Sequence, residues 1–266
     1  MAIQLLGVPY DLNSSFLRGA AGAPPRIRLM ETDGSANTFA EDGADIRQEA
    51  AYYDLGDLDL AGCSPVVAFQ RIRAAASQHI ASGQPLLSLG GDHSVAFPLI
   101  DAHTERYPGL HVLQIDAHGD LYEDFEGNPY SHASPFARIL EQGNIASLTQ
   151  VGIRSLNTHQ RQQIQKYGVN CIEMKDFQMD FLNELQGPLY LSIDLDALDP
   201  AFAPGVSHHE PGGMSSRQLL DLIRAIPVPI IGGDIVEYNP IRDLQNMTAM
   251  VAYKVMKEVM VKMLGV

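Results

Sequence analysis

"LHVLQIDAHGDLYED", residues 110–124, runs out of a largely apolar segment and at once sets Asp116, His118 and Asp120 at alternating positions. In an extended chain, residues two apart point to one side, so two carboxylates and an imidazole converge on one point at a strand end. Converging carboxylates repel, and a cation between them removes the repulsion. Similar apolar runs recur along the chain: "IQLLGVP" (3–9), "PLLSLGGD" (85–92), "LTQVGIR" (148–154), "PLYLSIDLD" (188–196) and "VPIIGGDIVE" (228–237). Most are apolar throughout instead of alternating, which is how strands read when helices cover both faces of a parallel sheet. The expected fold class is therefore α/β, a three-layer αβα arrangement around a central, mostly parallel sheet.

The intervening segments carry helix punctuation. Ser64 and Pro65 can open a helix that Gly83 ends, and Ser134 and Pro135 can open another that Gly143 terminates. "MTAMVAYKVMKEVMVKML" (247–264) has apolar residues at helical spacing with lysines between them, so a closing amphipathic helix is expected. With 266 residues, 45% of them hydrophobic, the chain suits one large domain spanning 1–266. No repeat or linker interrupts it, and "PAFAPGVSHHEPGGMSS" (200–216) reads as a long functional loop.

Thirty-two acidic residues against 18 basic ones give a net charge of −14, which argues against nucleic-acid partners and an anionic membrane surface. No apolar stretch approaches a membrane span. Cys63 and Cys171 form no C-x-x-C pair, so no disulfide framework or zinc knuckle is indicated. Those cysteines, with an N-terminal segment that reads as a strand and not as a signal peptide, lead to the expectation of a cytoplasmic protein.

The charged clusters fall at strand ends: "GGDHS" (90–94), "DAHGD" (116–120), "DLDALDP" (194–200) and "EYNP" (237–240). In open α/β sheets ligands bind at that carboxyl edge. Pooled, these ends offer His93, Asp116, His118, Asp120, Asp194 and Asp196. Four carboxylates and two imidazoles exceed one tetrahedral zinc and suit two divalent ions, with Mn(II) favoured over Zn(II) by the oxygen-rich set. Two ions about 3.5 to 4 Å apart lower the pKa of a shared water towards neutrality, which points to hydrolysis. Asp92 and Asp199 read as turn or supporting residues. His208 and His209 lie in the long loop, which could approach the site.

"GGDHS", "DAHGD" and "SIDLDALDPAFAPGVSHHEPGG" resemble the three signature blocks of the ureohydrolase family, the arginases and agmatinases. The resemblance is closest to plant-type, agmatinase-like arginases, and "NSSFLRG", "YEDFEGNPYSHASPFARI", "QVGIRSLN" and "DIVEYNP" extend it over essentially the whole chain. It implies two manganese ions per chain, one on His93, Asp116, Asp120 and Asp194 and the other on Asp116, His118, Asp194 and Asp196. It also implies a proton-shuttling His132, a guanidinium-holding Glu237, and an Asp120 that orients the nucleophile and passes its proton on. Homotrimers or homohexamers are implied as well.

The sequence departs from the family at Gly119, where Pro, Thr or Ser is usual, and at Asn157, where animal arginases place an aspartate that holds the substrate α-ammonium. Asn128, Ser131 and Asn157 are neutral groups that could meet the α-substituents of arginine. L-Arginine is the expected guanidino substrate and agmatine its competitor, with other guanidino or formimino acids behind. A single-zinc amide deacetylase is the alternative from another enzyme class, and it would need neither His93 nor Asp120 as a ligand. A metal-binding relative without activity is the non-catalytic alternative, against which His132 and Glu237 speak.

Overall fold

The computed structural model describes residues 2–47 and 52–265. Eight strands form one sheet: β1 (Ile3–Gly7), β2 (Tyr52–Asp57), β3 (Leu86–Leu89), β4 (Leu110–Ile115), β5 (Ile145–Ile153), β6 (Asn170–Glu173), β7 (Leu189–Asp194) and β8 (Ile230–Val236). Their spatial order is β2-β1-β3-β8-β7-β4-β5-β6, and every pairing is parallel. Among the described residues, seven α-helices accompany them: α1 (Ala23–Thr32), α2 (Pro65–Ile80), α3 (Ala96–Arg106), α4 (Pro135–Gln142), α5 (Thr158–Tyr167), α6 (Ser216–Ala225) and α7 (Met247–Leu264).

Alternation along the strands builds two cores. Leu5, Leu87, Leu113, Leu191 and Ile193 face α1, α6 and α7, whereas Leu6, Leu86, Val112 and Tyr190 face α2, α3 and α4. Both faces are apolar because both are covered, so the layers are those expected from the runs without polar alternation. The two strands that the apolar pattern did not single out, β2 and β6, are the sheet's edges, where most residues are half-buried or exposed.

The helix signals act through proline more than through serine. Pro65 and Pro135 open α2 and α4, yet neither Ser64 nor Ser134 makes a side-chain cap bond. Gly143 adopts the left-handed conformation that closes α4, while α2 ends at Ile80, ahead of Gly83 in the following turn. α7 is less amphipathic than its lysines suggest. Lys257 is buried and donates from Nζ to the carbonyls of Asn37 (2.7 Å) and Phe39 (2.9 Å), and buried Glu258 accepts from Glu41 N at 2.8 Å. The 37–41 segment thus covers the polar side of α7 that was expected to meet solvent.

The winding places the chemistry. The chain lays down β1 to β3 on one side, skips across to β4, β5 and β6, and returns with β7 and β8 to fill the gap. Four contiguous strands, β3-β8-β7-β4, therefore end side by side at the switch in winding, and those ends carry the acidic and histidine-bearing motifs.

Candidate metal centre and active site

At the end of β3, buried Asp92 accepts from Ser94 N (3.1 Å) and Asn13 N (3.0 Å), fixing the turn that carries His93. His93 Nδ1 then lies 3.0 Å from Asp116 Oδ2, 3.1 Å from Asp120 Oδ2 and 3.2 Å from Asp194 Oδ2. His118 Nδ1 lies 3.0 Å from Asp196 Oδ2 and 3.6 Å from Asp116 Oδ1. Two groups able to hold a metal ion result, His93–Asp116–Asp194 and Asp116–His118–Asp196, and they share Asp116.

The electrostatics of this cluster call for cations. Burial, with Asp196 and Asp116 beside it, pushes the Asp194 carboxyl well above the usual range. Burial and Asp116 raise Asp120 to about 6. Burial opposes the charge on Asp116, but His118 and His93 outweigh it and hold that carboxyl low. His93 Nδ1 is buried with no hydrogen-bond partner although three carboxylates surround it. An orphaned imidazole nitrogen facing crowded carboxylates is a metal-ligand arrangement, and the mixed nitrogen and oxygen donors fit a pair of divalent cations.

A supporting chain lies beneath. His93 Nε2 meets Ser192 Oγ at 2.9 Å, Ser192 Oγ donates to Asp234 Oδ1 at 2.7 Å, and Tyr190 Oη donates to Asp234 Oδ2 at 2.7 Å. Such a partner on the far nitrogen fixes ring orientation and leaves Nδ1 free for a metal. Sequence reasoning passed over Asp234 because "GGDIV" reads as an interrupted apolar strand. Its signal was a lone carboxylate in a strand buried on both faces.

The cleft above has a volume of about 240 Å³, and Asp120, His132, His208, Glu210 and Glu237 are among the residues lining it. His132 Nδ1 contacts Glu237 Oε1 at 2.7 Å, and its Nε2 contacts Ser15 Oγ at 2.8 Å. Burial disfavours charge on His132, but Glu237 outweighs it and raises the imidazole to about 9. Burial likewise opposes charge on Glu237, and His132 still holds it below the usual range. Glu237 Oε1 also accepts from His93 N at 2.8 Å, so both bonds fall on one oxygen. Asp120 (φ 49°) and Glu237 (φ 63°) both take the left-handed backbone conformation, which costs a non-glycine residue about 1 to 3 kcal/mol and clusters at functional sites.

Six metal-ligand candidates, His132 and Glu237 are thus brought together, whereas Asn128, Ser131 and Asn157 are not among the residues lining the cleft. Asn157 caps α5 by accepting from Gln160 N (2.9 Å) and donates to Tyr122 Oη (2.6 Å). Asn128 accepts from Tyr130 N and Ser131 from Ala133 N within their own loop. Ser15, Tyr122, Gln160 and Glu210 line the cleft instead, and only their neighbourhood in "NSSFLRG", "YEDFEG", "QVGIRSLN" and "SHHEPGG" hinted at them. The long loop does reach the site: the His208 ring lies 5.3 Å from His132 and 5.9 Å from His118, while exposed His209 bonds the Pro204 carbonyl. Arg154 pins this loop by donating to the carbonyls of Asp196 (2.7 Å) and Glu210 (2.6 Å). Asp199 accepts from Ala201 N, Gly212 N and Gly213 N, which is the turn role read for it.

Fold and site together define a parallel α/β hydrolase built around adjoining carboxylate and imidazole metal groups. A family model described as the arginase family matches residues 1–262. Arginase 1, mitochondrial, from Arabidopsis thaliana is 44% identical over 97% of this chain and 80% of its own length. An N(1)-aminopropylagmatine ureohydrolase from Thermus thermophilus is 36% identical over 90% of this chain and 83% of its own. The solved arginase from Medicago truncatula superposes with a TM-score of 0.93 at 43% identity, covering 98% of this chain and 87% of that one. The chain belongs to the arginase family, which sets aside the amide deacetylase alternative. The relatives also correct one expectation: the Arabidopsis protein is named mitochondrial, so a cytoplasmic assignment does not stand. Unpaired cysteines show only that no disulfide is formed and do not separate compartments.

Proposed function

We propose that this chain hydrolyses L-arginine to L-ornithine and urea, using two Mn(II) ions held by His93, Asp116, His118, Asp120, Asp194 and Asp196. The observation that carries the proposal is the pair of metal groups sharing Asp116 beneath a cleft lined by Glu237 and His132. Bound divalent ions would neutralise the crowded carboxylates and lower the pKa of a bound water towards neutrality. Glu237, kept anionic by His132 against the effect of burial, pairs with the planar guanidinium and holds its carbon over the site. Water adds to that carbon, the bond to the side-chain nitrogen breaks, and Asp120 takes the proton of the water and hands it to the departing amine. His132, held protonated at neutral pH by Glu237, relays protons between this step and Ser15 at the cleft wall. Similarity to plant arginases over nearly the whole chain supports arginine as substrate.

One observation favours agmatine as a second substrate: among the described residues lining the cleft there is no lysine or arginine to pair with an α-carboxylate. Assembly into trimers or hexamers belongs to the same proposal and is read by light scattering of the manganese-loaded protein. The deciding assay measures urea from L-arginine, agmatine, 4-guanidinobutanoate and guanidinoacetate side by side. Arginine should be the best substrate with measurable agmatine turnover. Agmatine hydrolysis without arginine hydrolysis reverses the order, and no urea from any of the four overturns the proposal.

A further inference from the structure

Three buried glutamines surround the segment that carries Asp116, His118 and Asp120. Gln114 Nε2 donates to Asp116 Oδ2 at 2.7 Å and to the His118 carbonyl at 3.2 Å. Gln150 Nε2 donates to Gln114 Oε1 at 2.7 Å and to the Gly119 carbonyl at 2.6 Å. Each of these nitrogens meets two groups that can only accept, so the orientation of both amides is fixed by their surroundings. Gln160, on the first turn of α5, is 3% exposed and lies over the same segment.

Its position explains the glycine at 119. Gly119 does not have a positive φ, so conformation does not demand glycine there. Space bears on it: a Cβ at 119 would lie 2.3 Å from Gln160 Oε1 and 3.1 Å from Leu156 Cδ2, so a side chain there needs the buried end of Gln160 to move. Oε1 of Gln160 and Oε1 of Gln150 are both buried without hydrogen-bond partners. Buried polar atoms are rarely left unpaired, and those that are mark places where another requirement prevails. Here that requirement is the shape of the segment between two metal ligands. The rest of its backbone is tied as well: Asp116 N donates to the Val151 carbonyl, Ala117 N to Asp196 Oδ1 and Arg154 N to the Ala117 carbonyl.

We propose that Gln114, Gln150 and Gln160 act as positioning residues, a cradle that holds the 116–120 segment in its metal-binding shape, with Gly119 as the matching void. The inference rests on the reading of Asp116, His118 and Asp120 as metal ligands. Gln114 belongs to the strand and reaches the carboxylate shared by both metal groups, so it sets where that carboxylate sits before an ion arrives. Gln150 ties the Gly119 carbonyl on the far side of His118, and Gln160 fills the space beside Gly119. Their substitution changes the cost of assembling the site and removes no ligand.

The test is chelator-competition titration of Mn(II) on the full chain, with thermal unfolding of the same metal-free samples. Gln114→Met keeps the length and loses the donor, and it should bind Mn(II) about 10- to 100-fold more weakly while the metal-free melting temperature moves by only a few degrees. Gly119→Ser should also bind more weakly, and Gly119→Ser with Gln160→Ala should recover most of that loss, because truncating the glutamine vacates the clashing space. Unchanged affinity in Gln114→Met overturns the cradle. So does an affinity loss no larger than the fall in metal-free stability accounts for, or a double variant no better than Gly119→Ser alone. Parent protein that takes up no Mn(II) overturns the metal reading and the cradle together, whereas normal uptake by parent and variants alike removes the cradle only.

Discussion

The two ends of the central strands make a direct comparison. At the opposite end of β3 and β8 lies a cavity of about 430 Å³, larger than the cleft of about 240 Å³ over the metal groups. Pro85, Ile226, Val228, Ile231 and Met263 help to line it, and its lining includes no carboxylate or imidazole among the described residues. Its one cationic group, Lys262, donates to the Arg224 carbonyl. The smaller cleft stands over the buried carboxylates of Asp116, Asp120, Asp194 and Asp196, which crowd one another. His93 and His118 offset part of that charge, but Asp194 and Asp120 remain pushed up by burial and their neighbours, a strain that a bound cation relieves and that the larger cavity does not have. What marks a site is an electrostatic demand that the protein alone leaves unmet, and volume is a poor guide to it.

Removing charge from the cleft has the largest expected effect. Asp194→Asn keeps the side-chain shape and deletes one carboxylate of the His93 group, so metal content should fall below two per chain. Urea release should drop on the order of 10³-fold or more, because several kcal/mol of transition-state stabilisation depend on the ions. Retained activity at full metal content would contradict the assignment. His132→Ala should leave metal content alone and lower kcat by about 10²- to 10⁴-fold, the range for loss of a general acid or base. A change confined to KM would remove its proton-transfer role. Asp234→Asn acts one step further away, through Ser192 on His93, and should weaken metal binding or activity by about 10- to 100-fold. Metal affinity equal to that of the parent would show that the Asp234–Ser192 chain is idle.

The smallest effect belongs to the other end of the sheet. His103, packed near Gly232 at the start of β8, is buried, and burial depresses its imidazole to about 4. The unfolded chain binds this proton near pH 6.5 and the folded chain only near 4. Stability from keeping His103 neutral is therefore complete above pH 6.5 and is lost as pH falls towards 4. Between pH 7.5 and 5 the loss is about 2 kcal/mol. Urea denaturation should show His103→Leu losing about that much less than the parent over the interval, with kcat unchanged at pH 7.5. Equal slopes for the two proteins would discard the assignment.

The sequence made the site more legible than the frame around it. Six strands announced themselves as apolar runs, and the six candidate ligands were read by pooling the charged residues of three strand ends; the alternation expected across Asp116, His118 and Asp120 does not persist, because β4 ends at Ile115 and Asp120 takes φ 49°. β2 and β6 were silent because edge strands bury too little to need an apolar pattern. Asp234 and Gln150 were silent because their contacts cross to a neighbouring strand, Asp234 to Ser192 and Gln150 to Gln114, while Gln114 reads as part of an apolar strand and Gln160 reaches Gly119 from α5. Asn157 was legible as a polar residue in the right motif, but its oxygen caps α5 and its nitrogen meets Tyr122, partners that only the folded chain reveals. The compartment was not written in the folded domain at all.

Urea release by this chain would require a divalent ion on each of the two residue groups that meet at Asp116. That requirement is tested most directly by adding Mn(II) stepwise to chelator-stripped protein and measuring bound metal and urea release from L-arginine on the same samples. Urea release should climb with occupancy and reach its plateau as bound manganese approaches two per chain. Full activity with one ion per chain, or two ions bound with no urea released, would contradict it.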